Sequence, residues 1–258
     1  MRISTLLPFM MMPLFILFAQ SCKTQLPKMN SAKNPPSHKK WDMLLKKHVQ
    51  DNGLVDYKGF GHDSSELNKY LQLLSTTHPR DDWEENEKMA YWINAYNAFT
   101  VKLIVDHYPV ESIKEIKKGI PFVNSVWGLK FIQIEGETYD LNNIEHGILR
   151  KYFPDARVHA AINCASISCP PLRSEAFVAS KLDQQLEESM HVFINDPMRN
   201  KVSTNKAEIS KIFSWFGTDF KSHAGSVRSF INLFANEKVS ENGKISYLDY
   251  NWQLNDIN

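Results

Sequence analysis

The segment from Trp83 to Asp106 constrains this chain more than any other. It opens with a polar, acidic stretch, Trp83-Glu84-Glu85-Asn86-Glu87-Lys88, which suits the positive end of a helix dipole. It continues as Ala90-Tyr91-Trp92-Ile93-Asn94-Ala95-Tyr96-Asn97-Ala98-Phe99-Thr100-Val101, apolar nearly all round. A helix without a polar face has to run through the middle of a core. Asn94 and Asn97 lie three apart, on one side of it. A buried amide without partners costs about 1–3 kcal/mol. Both asparagines are therefore expected to bond neighbouring loop backbone. The functional alternative is that one of them, with Asn94 the candidate, orients a catalytic group or lines a cleft.

The flanking pattern is mixed. Trp41 to Val49 has helical spacing and stops at Asp51-Asn52-Gly53. Leu54 to Tyr57 reads as a short extended piece, and a second helix follows from Ser64 with Leu67, Leu71 and Leu74 on one face. Tyr108-Pro109 breaks the central helix, and a short basic helix is expected over 110–118. Val123 to Trp127 and Leu129 to Ile134 alternate like strands. Asp140 can cap a helix over Leu141 to Arg150, and Val158 to Cys164 is apolar and of strand length. Ala165 to Pro171 reads as a loop, and Ser174 to Ile194 as an amphipathic helix. Further strands are expected over 206–213 and 244–250, and further helices over 214–220 and 227–234. No internal repeat is present. The sum is a helix-rich α+β single domain with a small antiparallel sheet, lacking the regular alternation of a doubly wound fold.

The domain is preceded by an export signal. Met1–Ser21 has a basic start at Arg2, an apolar run from Leu6 to Ala19 broken by prolines, and a small residue before Cys22. The run is short for a span of roughly 20 residues. Ala19-Gln20-Ser21-Cys22 resembles a bacterial lipoprotein signal, with Cys22 as the lipidated first residue. Residues 22–40 hold Lys, Pro, Ser, Asn and Thr and read as a flexible tether, leaving 41–258 as the folded domain. The expected partner is thus a membrane, reached through Cys22. The expected location is the bacterial cell envelope, on its periplasmic or outer-membrane face. Charge is balanced, with 30 basic against 29 acidic residues, so nothing suggests a nucleic-acid binder.

Chemistry-bearing residues concentrate between Asp140 and Arg173, which holds Glu145, His146, His159, Cys164 and Cys169. Acid, imidazole and thiol are the parts of nucleophilic catalysis. A thiol nucleophile needs a lowered pKa, from an imidazolium or a helix N-terminus. Cys169 precedes the helix expected from Ser174, whereas Cys164 ends the expected strand. On a straight strand His159 and Cys164 face opposite sides. His159 can meet Cys169 only if the loop folds back. Glu145 and His146, adjacent on a helix, diverge by about 100°. His146 rivals His159 as general base, with a carboxylate or Asn94 orienting it. Against a nucleophile stands a short Cys164–Cys169 disulfide, favoured by export. Inert thiols and a redox-sensitive pair also remain open. No metal is expected, because the histidines lack the spacing of zinc hydrolases. No phosphate loop, dinucleotide fingerprint or Gly-x-Ser-x-Gly elbow is present, and no cofactor is expected.

Several segments together resemble domain-of-unknown-function family 547, found in secreted bacterial proteins and in plants. They are Gly53 to Tyr57, Trp92 to Ala98, Ile144 to Arg150, Val158 to Ala165, Ser168 to Arg173, Phe213 to Trp215 with Asp219-Phe220, and Tyr247 to Trp252. Ala160 departs from the bulkier aromatic expected after His159, a packing difference. The resemblance implies a fold distantly similar to papain and transglutaminase enzymes. The resulting expectation is thiol-dependent hydrolysis or transfer at an amide bond, on a peptide or peptidoglycan-type substrate. The rival expectation is a non-catalytic envelope binding module with its cysteines bonded.

Overall fold

The computed structural model describes residues 33–116 and 125–257. The signal segment and Cys22 lie outside the described residues. The fold begins earlier than Trp41. Lys33 pairs with Glu135, its carbonyl accepts the Trp83 indole N–H at 2.5 Å, and His38 Nδ1 sits 2.7 Å from the Tyr70 hydroxyl. The last residues expected in the tether, from Lys33 on, are therefore docked on the domain.

The central helix is present as Glu85–Val105 (α4 here), and every residue from Met89 to Val101 is buried. The Glu84 N–H donates to the Glu87 carboxylate at 2.9 Å, tying off its first turn. Three helices come before it: α1 (Lys39–His48), α2 (Tyr57–His62) and α3 (Ser64–Ser75). Trp41 of α1 stacks on Tyr70 of α3 at 5.8 Å between centroids. Sequence periodicity missed α2, six residues long with two glycines. It forms because the Asp56 carboxylate caps it, accepting the Gly59 N–H at 2.7 Å, and because Phe60 is fully buried.

A hairpin follows, β1 (Ile132–Ile134) against β2 (Glu137–Tyr139), turned by Glu135 and Gly136, both at positive φ. A π-helical stretch, Asn143–Leu149, then runs into the single turn α5 (Arg150–Tyr152). Asp140 accepts the Asn143 N–H at 2.6 Å at its start. Beyond lie α6 (Leu182–Asn195), β3 (Lys201–Val202), β4 (Lys206–Ile209), α7 (Ile212–Trp215), α8 (Gly217–Ala224), α9 (Val227–Phe234) and β5 (Lys244–Tyr247). The strands β3-β4-β5 form one sheet, antiparallel between β3 and β4 and parallel between β4 and β5. The domain is helix-rich α+β, with one ladder parallel where an antiparallel sheet was expected.

Two apolar clusters make up the core. The larger surrounds α4, and the smaller joins Phe193, Phe213, Phe220 and Phe230 across α6 to α9. Among the described residues no helix is long and apolar enough to cross a membrane.

Local expectations fail where side-chain amides capture the backbone. Val158 to Cys164 is no strand: Ala156–Ala160 is a 3₁₀ turn capped by Asp155, and the chain then turns sharply. Asn97 of α4 donates to the Ala161 carbonyl at 2.8 Å and accepts the Asn163 N–H at 2.9 Å, which replaces a sheet ladder. The helix expected from Ser174 starts at Leu182. Ahead of it the backbone of 176–178 is extended and held by Asn94 and Gln185. The piece read as a strand over 206–213 leaves the sheet after Ile209 and enters α7. Of the basic helix over 110–118, only the turn Ile113–Glu115 forms within the described residues. Val126–Gly128 is a 3₁₀ turn, and of Leu129 to Ile134 only Ile132–Ile134 pairs as a strand.

Candidate functional site

A cleft of about 210 Å³ opens between the two clusters. Glu145, His146, His159, Cys164 and Cys169 all line it. The stretch Asp140–Arg173 thus converges on one place, although not through the predicted strand.

Cys164 occupies a strained corner. Asn163, held by Asn97, also donates to the Pro170 carbonyl at 2.8 Å and accepts the Ala165 N–H at 2.8 Å. Ala165 consequently sits at φ 60°, left-handed backbone that costs an L-residue about 1–2 kcal/mol. The corner aims the Cys164 side chain into the cleft, where it is partly exposed. Its Sγ lies 3.3 Å from the Ser166 hydroxyl and 3.3 Å from the Tyr250 hydroxyl. Hydrogen bonding from the Cys169 thiol, then from Ser166 and Tyr250, outweighs burial and brings Cys164 down to about 7.

Cys169 is different. It is buried, and burial together with the neighbouring Cys164 pushes its thiol well above the ordinary range. It does not stand at a helix N-terminus, because α6 begins only at Leu182. Its Sγ accepts the Cys164 backbone N–H at 2.9 Å. Both cysteines are free thiols in this structure, the state the nucleophile alternative requires; the disulfide alternative is not the state seen here. Of the two candidate nucleophiles, Cys164 has the access and the acidity.

Glu145 is buried, and its Oε2 accepts the Tyr96 hydroxyl at 3.2 Å. Burial, then the charge on Cys164, raise its carboxyl to about 7. Glu145 Oε1 stands 3.8 Å from His146 Nδ1, so the two neighbours do share the cleft. The expected divergence assumed α-helical winding. A π-helix turns less per residue, and adjacent side chains stay closer together.

Neither imidazole bonds a sulfur. His159 does not fold back to Cys169. Its Nε2 is 2.8 Å from Asp219 Oδ2, and its ring stacks on Phe216 at 4.1 Å. Burial lowers its pKa, partly offset by Asp219. His146 Nδ1 lies 3.2 Å from the Arg150 guanidinium, and burial followed by that positive charge lowers it too. Arg150 grips Asp219 with two bonds, 2.6 and 2.9 Å. The hydrogen bond from His159, then Arg150, hold the Asp219 carboxyl well below the usual range.

Asn94 takes no part in the site. Its amide donates to the Phe177 carbonyl at 2.8 Å and accepts the Phe177 N–H at 3.1 Å. The amide that shapes the cleft is Asn97. Sequence reasoning about catalysis also passed over Asp219, Ser166 and Tyr250, and with them an aromatic wall. Trp215, Tyr250 and Trp252 form that wall, with centroids 4.5–5.8 Å apart, and Trp127 joins at 5.5 Å from Trp252. The Lys114 ammonium lies 3.6 Å over the Trp252 ring. Asp219, Trp215, Tyr250 and Trp252 all fall in the late segments quoted above for the family resemblance. Among the described residues no group of three or more His, Cys, Asp or Glu is placed to hold a metal ion.

Fold and site together define a helix-rich α+β domain with a thiol in an aromatic-walled cleft. Residues 80–194 match the family model described as a protein of unknown function, DUF547. The matched span holds α4, Glu145, both cleft histidines and both cysteines. No curated protein and no solved structure matches the chain.

Proposed function

We propose that the cleft is a thiol-dependent hydrolase or transferase site acting on amide bonds, with Cys164 as nucleophile. One observation carries this reading: a partly exposed thiol, lowered to about 7, faces a cleft that also holds a carboxyl raised to about 7. The Cys164 thiolate attacks the carbonyl carbon, and the Tyr250 hydroxyl is within reach of the developing oxyanion. Protonated Glu145 delivers its proton to the departing nitrogen as the C–N bond breaks, leaving a thioester on Cys164. The carboxylate so formed takes a proton from water, or from an acceptor amine, as that nucleophile releases the acyl group. His146 is the second proton carrier at the cleft, and His159 is a positioning residue tied to Asp219. The aromatic wall offers stacking surface to a side chain or sugar ring of a peptide or cell-wall substrate. The family's implied likeness to papain and transglutaminase enzymes bears on this reading only through the shared use of a thiol. Lipidation at Cys22 would hold the domain in the envelope, and Cys22→Ser would then release it from the membrane fraction.

The test is acylation by an activated ester such as p-nitrophenyl acetate, followed by mass mapping. The expected result is one acetyl group on Cys164, added with a pH midpoint near 7 and moved upward by Tyr250→Phe, which removes a donor to the thiolate. An intact domain that takes no acyl group on Cys164 would overturn the mechanism. It would leave the cleft as a binding site, the reading its aromatic wall favours.

A further inference from the structure

The amide-bond chemistry uses Cys169 only as a hydrogen-bond donor to Cys164, never as a thiol that reacts. It is nevertheless placed with care: the Arg199 Nε–H donates to its carbonyl at 2.5 Å, its own N–H donates to the Ser166 carbonyl at 3.0 Å, and Asn163 clamps the next residue. Its Sγ lies 2.9 Å from the Cys164 nitrogen. With the N–Cα bond added, that sulfur is within about 4.4 Å of the Cys164 Cα, a separation that a disulfide between the two residues requires. The Cys169 thiol also hydrogen-bonds the Cys164 thiol, so the two sulfurs already face one another. The two thiols are also unequal in access, one open to the cleft and the other 3% exposed behind it.

We propose that Cys164 and Cys169 are an attacking and a resolving thiol, and that the cleft performs thiol–disulfide exchange on substrates carrying a disulfide beside an aromatic or apolar group. The Cys164 thiolate attacks one sulfur of the substrate, the substrate S–S bond breaks, and the departing thiolate picks up a proton. Cys169 then attacks Cys164 Sγ, its proton passes to the second departing thiolate, and the Cys164–Cys169 bond closes. Two electrons move from the protein dithiol to the substrate, which leaves as two thiols. An external dithiol restores the pair by the reverse steps. The acidities agree with this division, Cys164 being lowered to about 7 and Cys169 raised by burial. The wall of Trp127, Trp215, Tyr250 and Trp252 selects the flanking group.

The experiment uses the full chain carrying Cys22→Ser, so that only the two cleft thiols are read, and the aromatic disulfide 5,5′-dithiobis(2-nitrobenzoate) as probe. One molar equivalent is expected to release two thionitrobenzoates per chain and leave an intramolecular disulfide that dithiothreitol reopens. Cys169→Ser is expected to release one and retain the mixed disulfide on Cys164, while Cys164→Ser reacts at least tenfold more slowly. An unsubstituted pair that stops at the mixed disulfide would sink the resolving role, and fast release from Cys164→Ser would sink the attacking one. The first arm leaves both cleft cysteines in place, so a misfolded cleft variant cannot hide the answer. Exchange and acylation fail separately: a chain that stalls at the mixed disulfide can still take an acetyl group, and the reverse.

Discussion

Asn94 and Asn97 stand one turn apart on α4, yet they do different work, and truncating each in turn separates fold from site. Asn97→Ala strands the Ala161 carbonyl and the Asn163 N–H, in residues 5% and 4% exposed. Each orphaned group costs about 1–3 kcal/mol, so the expected loss is about 2–6 kcal/mol, a large share of the 5–15 kcal/mol typical of a domain. Asn94→Ala strands the Phe177 carbonyl and N–H, in a residue 1% exposed, and should cost about the same by the same reasoning. Urea unfolding followed by tryptophan fluorescence reads both losses. The pH profile of Cys164 alkylation by iodoacetamide distinguishes them. Asn97→Ala frees the Ala161–Asn163 backbone that sets the thiol against Tyr250 and Ser166, so the midpoint should rise from about 7 toward that of a free thiol. Asn94→Ala should leave the midpoint where it was. The reasoning fails if Asn97→Ala costs less than about 1 kcal/mol, or if both variants move the midpoint alike.

Other perturbations read other parts of the structure. Glu145, at about 7 in the fold, lies above its unfolded value near 4.5, so its stabilisation is complete at low pH and is lost as pH rises through 7. At 1.36 kcal/mol per unit, Glu145→Gln should gain on the parent by at most about 3 kcal/mol between pH 4 and pH 8, and parallel stability–pH curves would refute this. Gly53 holds φ +80°, and a Cβ there would meet Pro171 Cβ at 2.4 Å. Gly53→Ala should therefore cost at least about 2 kcal/mol from left-handed strain and clash, and a loss within error by urea unfolding would contradict that packing. Asp219→Asn removes the charge that holds Arg150 and His159. At this partly exposed site the loss should be about 1–2 kcal/mol, about 2–8 °C in Tm, and the His159 pKa seen by NMR should fall further.

The sequence declared what hydrophobic periodicity can declare. An all-apolar helix at 83–106 had to be central, and Met89 to Val101 are buried as that demands. The five cleft residues were legible as a cluster because acid, imidazole and thiol are rare enough to stand out together. Failures fall where backbone groups bond side chains instead of other backbone. Asn97 and Asn163 replace a strand at 158–164, Asn94 and Gln185 replace the first helical turns after Ser174, and Asn200 ties Phe193 to Ser210. No periodicity marks such amides, since each is a single residue whose partners sit at no fixed spacing, from 7 residues away for Asn163 and Pro170 to 83 for Asn94 and Phe177. Distance in sequence also hid the Tyr250 hydroxyl, which is 86 residues from Cys164.

The geometry also bears on which group carries the proton in the proposed mechanism. From sequence, the imidazoles were the natural bases. In the fold, His159 is the more constrained of the two, stacked on Phe216 and bonded to a carboxylate that Arg150 grips twice. That network is fully satisfied, holds Asp219 ionised, and gives up a charge-assisted bond if the ring turns to a sulfur. Glu145 is in the opposite condition. One oxygen accepts the Tyr96 hydroxyl at 3.2 Å, the other faces His146 at 3.8 Å, and the Arg150 charge only partly offsets its burial. A carboxyl so placed weakens the fold at neutral pH, just as Ala165 at φ 60° strains it two residues after Asn163. Both costs fall beside Cys164, the one accessible thiol among the described residues. A domain selected only to hold a shape would lose nothing by Glu145→Gln or by a glycine at 165. The proposed mechanism, which must ionise Cys164 and move a proton near it, needs the carboxyl as it stands; it therefore draws on Glu145 and Cys164, while His159 stays tied to Asp219 and Phe216.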